Sequence, residues 1–154
     1  MKGGLLKKRS DLILEYRQEG RQTWAIRFYQ DGQVEEYNDT EMVFEDGKVI
    51  SHSLPLAWRK LVRLSAAELK RVQDALRKAD IFSLPEQIGD SRQANDGILH
   101  VWSVYVDGQQ KMVQAYDPEA SSSPGLRLLA SMVQEISADA FEREAENEKS
   151  HDPD

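Results

Sequence analysis

The sequence contains no cysteine. That excludes a disulfide framework, a thiolate zinc site and a cysteine nucleophile. It also favours a cytoplasmic setting, where thiol chemistry is not needed to hold a fold together. Long apolar runs are missing as well. None approaches the roughly 18 residues that a membrane span needs, so no membrane partner is expected. The stretch Met1 to Ser10 is basic but lacks an apolar centre, so it does not read as a secretory leader. Glycine is sparse and, apart from Gly3-Gly4, falls singly, which leaves no Gly-rich phosphate cradle. Positive charge is in deficit: 20 Lys and Arg stand against 27 Asp and Glu, a net charge of −7. Phosphate backbones are bound by clustered cations, so a nucleic-acid partner is not expected. The single patch Trp58-Arg59-Lys60 does not alter this.

The spacings that carry chemistry are also lacking. The three histidines, His52, His100 and His151, share no metal-ligand spacing. No Gly-x-Ser-x-Gly elbow occurs. Asp90, Asp96, Asp107, Asp117 and Glu119 crowd the loops, but the run from Asp90 to Gly97 lacks the alternating acids of a calcium loop. Asp and Asn as turn formers explain them better. The expectation is a protein that is not an enzyme and holds no cofactor or metal.

What is present reads as one domain. A chain of 154 residues buries about 68–70% of its unfolded surface and needs no staple. Residues 1–10 form a basic tail with four cations and no acid. Residues 142–154, with six acids against two bases, are expected to fray as an acidic, disordered tail. The domain then spans 11–141.

Within it, Leu12, Leu14 and Tyr16 alternate on one face of a strand, and Trp24, Ile26 and Phe28 on one face of the next. Asp31-Gly32 reads as a two-residue hairpin turn. That register sets Arg27 opposite Glu36 on the wet face and Ile26 opposite Tyr37 on the core face. Residues 39–58 suggest a short further hairpin around Glu45-Asp46-Gly47, an excursion from the main sheet. A strand at 59–64 would place Val62 and Leu64 on one face.

Ser65-Ala66-Ala67-Glu68 is a capping box, flanked by Leu64 and Leu69 at staple positions. Leu69, Val72, Leu76 and Ala79 follow at helical spacing. Ile81-Phe82 is expected to pack after the helix, and Pro85 opens a 13-residue polar loop, 85–97. Ile98 to Val106 and Gln109 to Tyr116 form a second hairpin around Asp107-Gly108, with Trp102 opposite Val113 and His100 opposite Ala115. Ile98, Trp102, Val104, Val106, Val113 and Ala115 form the core side. The other side carries Leu99, Val101, Tyr105, Met112 and Tyr116, unusually apolar for a wet surface. After a loop at 117–123, Ser123 caps and Pro124 opens a second helix. Leu126, Leu129, Val133, Ile136 and Ala140 form its stripe, and Phe141 is expected to close the core. The fold class is α+β: an antiparallel sheet of about 5–7 strands built from hairpins, packed with two amphipathic helices in the order β-β-β(-β-β)-α-β-β-α.

The stretch from Leu64 through Ser-Ala-Ala-Glu-Leu-Lys-Arg-Val-Gln-Asp-Ala-Leu-Arg-Lys-Ala-Asp-Ile-Phe-Ser-Leu to Pro85 resembles the emfourin group of small bacterial proteins. Those proteins inhibit thermolysin-like metalloproteases. They too place a Leu-rich helix, an aromatic and a Leu-Pro before a polar loop, a hairpin and a C-terminal helix. The resemblance covers about residues 60–137. The family's Gly-rich first hairpin is replaced here by Glu19-Gly20-Arg21 and a long insertion at 37–58, and no inhibitory residue is matched one by one.

The resemblance implies a bacterial protein that binds a protein partner, a protease being the specific candidate. The alternative is a scaffold or oligomer-forming domain, monomer or homodimer, that uses the apolar sheet face. A small enzyme centred on His100 is the third and weakest reading. The expected contact residues are Asp90, Arg92, Asn95 and Asp96 in one loop, Asp117 and Glu119 in the next, and Leu99, Val101, Tyr105, Met112 and Tyr116 on the sheet.

Overall fold

The computed structural model describes residues 11–20, 22–53, 58–89, 97–116 and 123–150. The strands are β1 (Leu12–Glu19), β2 (Thr23–Tyr29), β3 (Gln33–Asn38), β4 (Thr40–Glu45), β5 (Lys48–Ser53), β6 (Trp58–Arg63), β7 (Gln87–Ile88), β8 (Leu99–Val106) and β9 (Gln109–Tyr116). Two helices of the described residues, α1 (Ala66–Ala79) and α2 (Pro124–Ser150), join them in an α+β fold. Among the described residues seven strands form one sheet in the order β6-β3-β2-β1-β8-β9-β7, while β4 and β5 pair with each other in a second.

The main sheet is mixed rather than purely antiparallel. The short β7 runs parallel to β9. A 3-10 turn at Ile81–Ser83 redirects the chain after α1. The chain then reaches the sheet edge, where Gln114 N–H donates to the Glu86 carbonyl at 2.8 Å.

The hairpin at Asp107-Gly108 has the expected register, with Trp102 opposite Val113 and His100 opposite Ala115. Both turn residues hold positive φ, 53° and 78°, as a two-residue turn that follows the strand twist requires. The hairpin at Asp31-Gly32 differs by one residue. Arg27 faces Glu35, not Glu36, and Ile26 faces Glu36, not Tyr37. Of the two turn residues only Gly32 takes positive φ, at 90°. Its N–H donates to the Tyr29 carbonyl at 2.9 Å. The loop is therefore a three-residue turn closing on a left-handed glycine. A one-residue slip moves every side chain of β3 to the other face, so Tyr37 leaves the core side and Glu36 enters it.

One face of the sheet packs under both helices. Leu14, Tyr16, Ile26, Phe28, Val34, Trp102, Val104, Val113 and Ala115 supply the sheet side of this core. A bulge between Leu12 and Leu14 lets Ile13 join them. Ile98, expected among these residues, is only half-buried at the strand start.

The capping box forms as expected: Glu68 N–H donates to Ser65 Oγ at 3.1 Å, and Ser65 N–H to Glu68 Oε1 at 2.8 Å. Val72, Ala75, Leu76 and Ala79 then turn inward. Asp80 ends α1 in the left-handed region, which Asp tolerates better than most residues. Ile81 is buried, but Phe82 stands 39% exposed.

At the start of α2, Leu126 N–H donates to Ser123 Oγ at 3.4 Å. Leu126, Leu129, Met132, Val133, Ile136 and Ala140 are buried. The helix does not stop near residue 141. It continues through 142–150, where fraying was expected. The physical reason lies at Arg143, which donates to Glu68 Oε1 at 2.7 Å and to the Arg63 carbonyl at 3.0 Å. Phe141 does not close the core; it is 37% exposed at its rim. The contacts Gly125 with Ala79, Arg71 with Glu135, and Glu68 with Arg143 run in opposite senses, so α1 and α2 pack antiparallel.

Candidate functional site

Both described helices pack on one face of the sheet; on the other face Glu15, Ala25, Arg27, Tyr29, Val101 and Ser103 are also buried, and exposure is confined to its margins. Directly opposed residues of antiparallel strands share a face, so the registers populate it. On β8 and β9 it carries Leu99 opposite Tyr116, Val101 opposite Gln114, Ser103 opposite Met112 and Tyr105 opposite Gln110. The five sheet residues expected at a contact surface therefore do lie together. Met112 is 41% exposed, Leu99, Tyr105 and Tyr116 are half-buried, and Val101 is buried. Gln110 Nε2 donates to Tyr105 Oη at 3.2 Å, which holds the phenol at the strand end. Asp90, Arg92, Asn95, Asp96, Asp117 and Glu119 lie outside the described residues.

The same face continues onto β1, β2, β3 and β6 with different chemistry. Arg27, expected to be wet, is buried. Its Nε donates to Glu15 Oε1 at 2.8 Å, with both side chains about 5% exposed or less. The Trp58 ring lies 3.6 Å from the Arg27 guanidinium carbon. A guanidinium under an indole is stabilised by the ring's negative face. Tyr37 leans against Trp58 at a centroid distance of 5.6 Å. Arg17 reaches Glu15 at 3.5 Å and Glu19 at 3.3 Å.

Beside them Tyr29 donates its hydroxyl to the Glu35 carboxylate. Burial first, then the Glu35 hydrogen bond and charge, push the Tyr29 phenol well above its ordinary value. This face is thus a charged and aromatic half joined to an apolar and aromatic half, meeting along β1 and β8, where Glu15 faces Ser103 and Arg17 faces Val101.

Sequence reasoning missed the Glu15–Arg27–Trp58 group. Alternation places Glu15 and Arg27 on the face opposite Leu14 and Ile26. Their pairing, however, needs the β1–β2 register, and the Trp58 contact needs a strand two places away in the sheet.

On the helix side, His100 is a held group. Its Nδ1 lies 2.7 Å from the Tyr16 hydroxyl, which also accepts from Gln18 Nε2 at 2.8 Å. Tyr16 stacks on Trp102 at 3.9 Å between ring centroids. Among the described residues, no three His, Asp or Glu side chains gather as a metal cage. No helix of the described residues is long and apolar enough to cross a membrane. No family model matches the chain, and comparison with curated proteins finds no match either.

Proposed function

We propose that the chain is a non-catalytic protein-binding domain that presents the accessible margin of the sheet face away from the helices to its partner. One observation carries this reading. Leu99, Val101, Tyr105, Met112 and Tyr116 align on two adjacent strands of a face that neither helix covers. Tyr, Trp, Met and Arg are the residues enriched where proteins meet, and the other half of the face adds Arg17, Trp58 and Tyr37. Aromatic rings with polar tips bury large area at low entropic cost. The cysteine-free composition goes with a cytoplasmic site of action.

The similarity of residues 60–137 to emfourins makes a thermolysin-like metalloprotease the first partner to test. Purified protein at micromolar concentration is expected to inhibit such an enzyme, and Tyr105→Ser to relieve that inhibition. No inhibition across several such enzymes removes the protease from the proposal. The same apolar face would also serve self-association. Light scattering on wild type and Tyr105→Ser separates that use from binding to a different protein.

A further inference from the structure

The β4–β5 hairpin is an arm of 14 residues, Thr40 to Ser53, folded about Asp46-Gly47 with Glu45 opposite Lys48. A two-stranded hairpin is at best marginally stable in water without a packing partner. Among the described strands, this one pairs with no other. Its tip nevertheless carries Phe44, 74% exposed, directly opposite Val49, 61% exposed. The chain also holds a matching hollow. Tyr16, Trp24, Val133, Ser137, Ala138 and Phe141 border a cleft of about 470 Å³ between the sheet and α2. Such a volume falls in the range of sites that take a substantial apolar group, about 300–1,000 Å³. Phe141 is left exposed at its rim. The Ser137 hydroxyl is buried there and meets no hydrogen-bond partner among the described residues.

Arm and cleft also share an address. Asn38 lies opposite Trp24, and Asp39 accepts the Thr23 N–H at 3.0 Å, so the arm leaves the sheet beside the cleft wall. Phe44 stands six residues farther on, up to about 20 Å of extended chain. We propose that two copies of this chain pair by exchanging arms, the Phe44–Val49 tip of each seating in the Trp24–Phe141 cleft of the other. Root and cleft lie together, so a two-fold axis beside the root satisfies both contacts at once and closes the assembly.

Sedimentation of the full chain across the micromolar range tests this. The expected result is a dimer for wild type. Phe44→Glu and Ala138→Arg should each weaken it at least tenfold while leaving far-UV circular dichroism unchanged. Mixing the two variants should recover a weaker hetero-pair, because one intact arm still meets one intact cleft. A wild type that stays monomeric throughout overturns the proposal. So does a dimer that survives Phe44→Glu, or one lost on Tyr105→Ser but not on Ala138→Arg.

Discussion

Glu15 and Arg27 show what a buried ion pair demands on a sheet face without a helix above it. Removing two charges from water costs several kcal/mol each, and only close geometry with further partners offsets it. Arg27 has both, with Glu15 at 2.8 Å and the Trp58 ring over its guanidinium. Glu15→Gln should leave that cation underneutralised and cost about 3 kcal/mol or more, read as a lower urea midpoint at unchanged slope. Tyr29 offers a spectroscopic test nearby. Its raised phenol keeps it neutral where an ordinary tyrosine ionises, so it supports the fold below about pH 10 and loses that support as pH rises through its own higher value. Ultraviolet titration should show a phenol step well above the ordinary tyrosine range, and Tyr29→Phe should remove it. Gly125 is a matter of space. A Cβ there would stand 2.4 Å from the Ala79 carbonyl oxygen. The Gly125→Ala substitution forces the start of α2 away from the end of α1, at an expected cost of about 1–3 kcal/mol in unfolding free energy.

At the scale of elements, α2 is longer than its apolar stripe because its last turns are fastened to the start of α1. Burial alone would raise the Glu68 carboxyl. The Ser65 backbone N–H and then the Arg143 guanidinium outweigh that and hold it below its ordinary value. Its contribution to stability is therefore complete above the usual carboxylate range and fades as pH falls through the lowered value. Urea unfolding from neutral to acid pH should show a smaller acid loss for Glu68→Gln than for wild type.

The two helix starts were legible because capping is local chemistry, settled within four residues at Ser65–Glu68 and at Ser123–Leu126. The ends were less so. Arg143 meets its partner 75 residues away, and no spacing in the chain announces that. The two Asp-Gly turns make the same point. They look alike in sequence, yet Asp107 enters positive φ and Asp31 does not. At Gly32 the added constraint is tertiary, since the Leu64 N–H donates to the Gly32 carbonyl at 2.8 Å.

Across the whole molecule, the decisive contact is β1 with β8, which joins the two hairpins into one sheet by pairing Leu14 with Val104. Local pattern could say that each hairpin exists and which side of it is apolar. It could not say that β1 would sit at the centre. The apolar face of β8 and β9 was legible from alternation alone, and the structure sets it beside Arg17 and Glu15 on the sheet face away from the helices. The proposed function requires that this face bind a partner. The direct measurement is affinity capture from the source organism with wild type and with a Tyr105→Ser, Met112→Ser double variant of equal stability. Wild type is expected to retain a defined protein partner that the variant loses. A partner held equally by both, or nothing held above bare resin by either, would contradict it.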